Sequence, residues 1–412
     1  MLYRRNGRTL LGSAFLHGLM VFAALSLPQT AQASSSADKD SWTIRFHLNF
    51  DKQKAAFQPL IGADKGALLV TEVELNGQRV PALLDTGCEF TIVDSALAKK
   101  LGLHLGAPFE AGAYGGKLHV IRADIDKLQA GAITRTGGWV GVTDLTAFND
   151  ASPQHFSVIL GADFLSQVAV DVDRDSQSIA FLRTGTRPSA GFTTAPLHVS
   201  QPGNHFSIPL SVNGRLIDMR IDTGSDGDLT LVDPKWSAVV PADAPTTDSA
   251  SIGAGGGLYL QTIVRLHSAS IGGLSVGDPV ASRAADHEAT RTDGVVGMGV
   301  LSRFNLFLDA HAGVVGIAAT QNPAKPVGPT MVGIQGQTTD QGLQVVHVMA
   351  RSPAQEAGIR DGDRICTVDG EKITPAWKGT PKDKWMLGPA GKVVTLGRCG
   401  GGTVQVSLRP FY

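Results

Sequence analysis

The sequence predicts a mainly β protein: two β-barrel lobes in tandem, followed by a small α+β domain. Three observations predict it. The same landmarks occur twice: Asn76-Gly77 with Asp85-Thr86-Gly87, then Asn213-Gly214 with Asp222-Thr223-Gly224, each pair 137 positions apart. Glycine is abundant, with 49 residues, and sits between short runs rich in Val, Thr and Ile, the pattern of many short strands joined by tight turns. The Pro-rich stretch Asn322-Pro323-Ala324-Lys325-Pro326 then sets the last part of the chain apart.

The N-terminal segment, residues 1–33, reads as a secretory signal peptide. Arg4, Arg5 and Arg8 give a positive start, Leu10–Leu27 is mostly apolar, and Ala31-Gln32-Ala33 is a small-x-small cleavage site. An uncleaved anchor is the competing reading, but His17 and Gly18 interrupt the apolar stretch. Export to the periplasm is therefore expected, with no stable membrane insertion after cleavage. In residues 34–63, Ile44, Phe46, Leu48 and Phe50 alternate with polar residues as an edge strand would; a pro-segment is the alternative.

Lobe 1 is expected over residues 64–190 and lobe 2 over 195–322. Further repeats support the pairing. Ile159-Leu160-Gly161 near the end of the first lobe matches Val295-Val296-Gly297 near the end of the second. Between these landmarks, Gly112-Ala113-Tyr114-Gly115-Gly116 resembles Gly253-Ala254-Gly255-Gly256-Gly257. Each Gly-rich tip lies between alternating runs, as in a hairpin. Their recurrence at the same place in both repeats points to flaps over a substrate, with Ala113, Tyr114, Gly115, Gly116, Gly255 and Gly256 at the tips.

Each Asp-Thr-Gly ends an apolar, strand-like run. Two carboxylates brought together from matching turns cannot both ionise easily, so they share a proton. The ionised one takes a proton from water, and the protonated one polarises a carbonyl. Asp85 and Asp222 are the candidate catalytic pair. Gly87 and Gly224 let the backbone turn tightly and offer N–H groups to the carboxylates. Thr86 and Thr223 hydroxyls directed inward would bond the opposite lobe's backbone. Ser225 and Cys88 follow the two turns. A thiol is a weaker donor than a hydroxyl, which leads to the expectation that Asp85 is less stabilised in its charged form. The second turn carries extra residues, and Asp226 and Asp228 read as solvated loop charges.

Over roughly residues 64–320 these motifs resemble the retropepsin-like aspartic peptidases, fused as two acid-protease-like lobes on one chain. The resemblance implies an aspartic endopeptidase acting on protein or peptide substrates, without metal or cofactor. Keeping a flap in both halves makes the chain similar to a linked retropepsin dimer, and a monomer is expected.

Residues 328–412 carry Ser352-Pro353-Ala354-Gln355-Glu356-Ala357-Gly358-Ile359, then Asp361-Gly362-Asp363-Arg364-Ile365 and Asp369-Gly370. This resembles a bacterial PDZ domain. The resemblance implies that Met331, Val332, Gly333 and Ile334 form the loop that takes a peptide C-terminus while the peptide adds as a strand. A domain that only packs against the peptidase is the alternative. Cys366 and Cys399 lie on two strand-like runs; the sequence leaves their pairing open. The net charge of −1 and the lack of a basic run beyond the N-terminus recommend no nucleic-acid partner. No His-Glu-x-x-His or Cys-x-x-Cys spacing marks a metal site. The rival to hydrolysis is a non-catalytic peptide-binding scaffold on the same fold.

Overall fold

The computed structural model describes residues 21–22, 25–26, 44–51, 57–62, 67–113, 116–152, 154–200, 204–253, 258–284, 292–321, 330–377 and 380–412. The chain forms two compact units. One comprises Gly18–Leu145 with Gln154–Gly328 and Tyr412; the other is built mainly of Pro329–Phe411.

The larger unit holds two sheets whose strand orders match. The first runs Leu105–Ala113, Gly116–Asp124, Trp139–Thr143, Ile92–Asp94, Val158–Leu160, Gln78–Leu84, Val70–Leu75, Lys127–Ala130, Ile133–Thr136. The second runs Thr246–Gly253, Leu258–Arg265, Val280–Arg283, Leu229–Leu231, Gly294–Val296, Arg215–Ile221, His205–Val212, Ala269–Ile271, Leu274–Ser275. The Asn-Gly pairs explain the shared start. Asn76 and Gly77 have φ of 45° and 85°, Asn213 and Gly214 of 48° and 74°. These are the positive angles a two-residue hairpin with right-twisted strands needs.

The expected β-barrels are not formed. Each sheet is an open path with two ends, and no pairing joins its first strand to its last. The reason lies in the ends themselves. At one end the long hairpin (Leu105–Ala113 with Gly116–Asp124, or Thr246–Gly253 with Leu258–Arg265) pairs inward through its second strand. At the other end of the first sheet, His47–Phe50 covers Ile133–Thr136 as an edge strand. Closure would need these ends to bond each other.

A third, six-stranded sheet joins the halves. Ala169–Asp173 from the first pairs antiparallel with Phe304–Asp309 from the second, and Ser178–Leu182 and Val314–Ala319 flank them. Phe57–Pro59 and Thr193–Pro196 form its outer strands. The two inner strands are buried along nearly their whole length, Asp171 and Asp309 included.

The smaller unit is a sheet of Ile334–Thr339, Gly342–Val348, Arg364–Val368, Val393–Arg398 and Thr403–Ser407, with Glu371–Lys372 on its side. Its core includes Val332, Ile334, Leu343, Ile365, Val394 and Leu396. The one-turn helix Pro353–Glu356 is capped by Ser352, whose Oγ accepts the Gln355 N–H at 3.2 Å, with Pro353 where no N–H is needed. Two 3₁₀ segments, Pro375–Trp377 and Pro381–Leu387, follow Glu371–Lys372. Cys366 and Cys399 form a disulfide with Cα atoms 4.9 Å apart. Closing a span of 33 residues removes unfolded-chain entropy worth about 2–4 kcal/mol. Reducing it, or replacing both cysteines by serine, is expected to weaken hydrogen-exchange protection across these strands by that amount. Unchanged protection would assign the bond no stabilising role.

Candidate active site

Asp85 and Asp222 sit at equivalent ends of equivalent strands. Asp85 follows Gln78–Leu84 and donates its N–H to Leu160 O at 3.0 Å; Asp222 follows Arg215–Ile221 and donates to Val296 O at 3.0 Å. The apolar triples are thus the parallel neighbours of the Asp-bearing strands. Their glycines complete the support. A Cβ on Gly161 would run into the Phe90 backbone, and one on Gly297 into Gly227 O and Ser225. Each turn then receives a bond from the residue after the triple: Ala162 N–H to Cys88 O at 2.7 Å, Met298 N–H to Ser225 O at 2.8 Å.

The two threonines lock the turns together. Thr86 N–H donates to Thr223 Oγ1 and Thr223 N–H to Thr86 Oγ1, both at 3.1 Å. Thr86 Oγ1 donates to Ile221 O at 2.7 Å, and Thr223 Oγ1 to Leu84 O at 2.8 Å. Each hydroxyl accepts one bond from and donates one bond to the backbone of the opposite half, so four hydrogen bonds cross between the turns.

The carboxyls face one another across this lock. A Cβ on Gly87 would lie 2.6 Å from Asp222 Cγ and both its oxygens; one on Gly224 would strike the Asp85 carboxyl in the same way. The missing side chain of each glycine is therefore the room the opposite aspartate occupies. Asp85 Oδ1 accepts the Gly87 and Cys88 N–H groups at 2.8 and 3.1 Å, and Asp222 Oδ1 accepts that of Gly224 at 3.0 Å. Asp85 Oδ2 is buried and receives no N–H or hydroxyl donor among the described residues, while the two carboxyls are close enough to share a hydrogen bond. Both groups are fully enclosed. Burial, followed by the negative charge of Asp222, holds the Asp85 carboxyl well above the usual carboxylate range. Burial also raises Asp222, while the Arg220 guanidinium and the Gly224 N–H pull it down. The pair is thus disposed to carry one proton between its two carboxyls.

The residues after the turns differ from expectation. The Cys88 thiol donates to Phe90 O at 2.9 Å and not to the carboxylate; the backbone N–H of Cys88 supports Asp85 instead. The thiol's weakness as a donor therefore has no route to Asp85. Burial and then the Asp85 charge raise its own pKa well above normal. Cys88→Ser is accordingly expected to leave the acid limb of a pH–rate profile in place; a shift of the limb would contradict this placement. Ser225 Oγ accepts the Gly227 N–H at 3.3 Å. Asp226 is exposed, but Asp228 is no solvated charge: it accepts the Val280 N–H at 2.8 Å and lies 3.5 Å from Arg303.

Asp228 has a counterpart from another place in the chain. In the first half, Asp163 after the triple bonds Thr91 at 2.8 Å and Arg135 at 2.7 Å, both buried. Gly299 holds the matching position in the second half, and a Cβ there would collide with the Asp228 carboxylate. The extra residues of the second turn thus deliver a carboxylate to the site that Asp163 fills in the first. The exchange of Asp163 for Gly299, visible in the aligned repeats, is the signal that could have revealed it.

Of the flap residues, Ala113 pairs with Gly116 at the end of the first hairpin. Tyr114, Gly115, Gly255 and Gly256 lie outside the described residues. Two short strands from the N-terminal segment reach the same hairpins: Val21–Phe22 runs parallel to Thr246–Gly253, and Leu25–Ser26 antiparallel to Leu105–Ala113. The rest of residues 1–33, with the cleavage site, lies outside the described residues. Among the described residues no helix is long and apolar enough to cross a membrane, and no cluster of three His, Cys, Asp or Glu side chains could hold a metal ion.

In the smaller unit, Met331, Val332, Gly333 and Ile334 are buried. Met331 N–H donates to Met386 O at 2.8 Å, and Val332 and Gly333 N–H groups to Thr330 Oγ1 at 3.3 and 3.0 Å. Gly333, at φ +78°, has Ser352 where a Cβ would stand. The N–H groups of Met331, Val332 and Gly333 are thus engaged within the domain. Beside it, Thr338, Leu343, Ile373, Trp377, Asp383, Trp385 and Met386 line a small crevice between the edge strand and the 3₁₀ segments.

Comparison with known proteins finds similarity over two stretches of the chain. Residues 71–167 match the family "gag-polyprotein putative aspartyl protease", and residues 344–397 match the PDZ domain family. Among solved structures, a retropepsin-like aspartic protease from Rickettsia conorii is similar at 17% identity and a TM-score of 0.23, covering 33% of this chain and 98% of that one. No curated protein matches. One stretch of the chain is thus similar to an aspartyl-protease family and another to the PDZ family.

Proposed function

We propose that this chain is an exported aspartic endopeptidase in which Asp85 and Asp222 act as one dyad. A single observation carries the reading: two enclosed carboxyls from matching turns face each other, each in the space left by the other turn's glycine. In the proposed reaction a water between them loses a proton to the ionised Asp222 and attacks the scissile carbonyl. Asp85 meanwhile donates to the carbonyl oxygen. Collapse of the tetrahedral intermediate returns a proton to the leaving nitrogen. The cross-bonded threonines keep the carboxyls fixed, so little reorganisation accompanies the charge movement. The paired hairpins would cover a peptide as two flaps. The N-terminal Arg residues, apolar stretch and Ala31-Gln32-Ala33 support export to the periplasm.

The PDZ domain is the proposed selector of substrate or partner. Its strand Ile334–Thr339 is an edge to which an extended peptide could add. A second reading, peptide binding without hydrolysis, is favoured by the two domain matches, since both a protease-like fold and a PDZ domain bind peptides whether or not chemistry follows. The deciding test is identification of new peptide termini in a proteome digested with the purified protein across pH, with Asp85→Asn as control. Wild-type-specific termini would support hydrolysis. Thermal protection by a statine-type inhibitor with no new termini would favour the second reading.

A further inference from the structure

The two halves differ at a position beside the carboxyl pair, where an arginine bonds the opposite turn. Arg220 precedes Asp222 by two residues on the strand Arg215–Ile221, and residues two apart share a face of a strand. The matching residue in the first half, 137 positions earlier, is Leu83. Arg220 is 5% exposed, and its Nη2 donates to Gly87 O in the opposite turn. Its Nε is buried with no acceptor.

A guanidinium in such a place needs an anion, because an uncompensated buried charge is strongly disfavoured. The other charged groups around the two turns are already matched. Glu89 beside Cys88 faces His205 at 3.2 Å, Asp163 faces Arg135 at 2.7 Å, and Asp228 faces Arg303 at 3.5 Å. The Cys88 thiol is bonded to Phe90 O. Arg220 forms no such pair among the described residues. What remains is the carboxyl pair itself. With one proton shared, it carries one negative charge, and Arg220 makes the group neutral.

We propose that Arg220 is a positioning residue that supplies the counter-charge of the Asp85–Asp222 pair, lowers the pH range over which the pair holds a single proton, and breaks its two-fold equivalence. Its charge favours the ionised form of both carboxyls. This deepens the endopeptidase reading and rests on it for its catalytic meaning, but not for its test.

The test is carboxyl-carbon NMR of the full chain labelled at aspartate, with Asp85→Asn and Asp222→Asn assigning the two signals. Arg220→Leu, which installs the residue of the first half, is expected to raise both steps of the pair by about 1–3 pH units. Arg220→Gln keeps an N–H donor for Gly87 O without the charge and should shift the steps as Arg220→Leu does. Arg220→Lys should stay near wild type. Wild-type titration in a folded Arg220→Gln protein would reduce the role to a tether and overturn the proposal, as would a full shift in Arg220→Lys. If peptide hydrolysis is measurable, both limbs of the pH–rate profile should move upward together in Arg220→Gln. Hydrolysis that persists in Asp85→Asn would refute the endopeptidase reading while leaving the titration result intact.

Discussion

Asp85→Asn and Asp222→Asn should each lower peptide hydrolysis by about 10⁴-fold or more, since either change removes the shared proton's second carboxyl and with it both acid and base. The measurement is single-turnover cleavage of a peptide found by terminus profiling. Activity within tenfold of wild type in either variant would end the dyad assignment. Folding supplies an independent check with a definite sign. Burial holds the Asp85 pKa well above its unfolded value. Protonated Asp85 therefore contributes stability that is fully present below the ordinary carboxylate pKa. It is lost as pH rises through the raised one. Asparagine is neutral at every pH. Asp85→Asn should thus match wild type in acid and exceed it in melting temperature at neutral and alkaline pH. A variant less stable than wild type at high pH would show that Asp85 is buried as a paired anion.

The second large effect belongs to two residues with no side chain. Gly87→Ala and Gly224→Ala would each place a methyl group in the space of the opposite carboxyl. Overpacking of this kind costs about 1–3 kcal/mol. The chemical cost is greater, because the displaced aspartate belongs to the other half of the site. We expect activity to fall at least about 10²-fold, as a misplacement near 1 Å can cause. Melting temperature should drop only modestly. Full activity in either alanine variant would mean that the carboxyls tolerate separation and do not act as a pair.

Much of this arrangement was legible in the sequence because it is local. Asn76-Gly77 and Asn213-Gly214 specify their hairpins by backbone angle alone, and the two Asp-Thr-Gly turns follow at a fixed count of residues. The Ser352 cap and the Asp369-Gly370 turn are short-range features of the same kind. The open sheets were not legible. A barrel and an open sheet share one alternation of residues, and the difference lies in whether distant end strands pair. Arg220 was overlooked because within its strand it reads as an ordinary polar residue. Only alignment with Leu83 and knowledge of the opposite turn give it meaning. Asp228 was misread for a related reason. Its sequence neighbours Asp226 and Gly227 suggest a solvated loop, while its partners Val280 and Arg303 lie more than fifty residues away. The loop Met331–Ile334 shows the same limit, since the groups that engage its N–H donors, Thr330 and Met386, include one far along the chain.

The central sheet has a kinetic consequence. Ala169–Asp173 and Phe304–Asp309 bond within one chain, as do the threonines that cross between the turns. Bringing the two aspartates together therefore contains no bimolecular step. Where a site is shared by separate subunits, dilution empties it by mass action. Here the local concentration of one half around the other is fixed by covalent linkage. The site persists at any protein concentration, however scarce the molecule becomes.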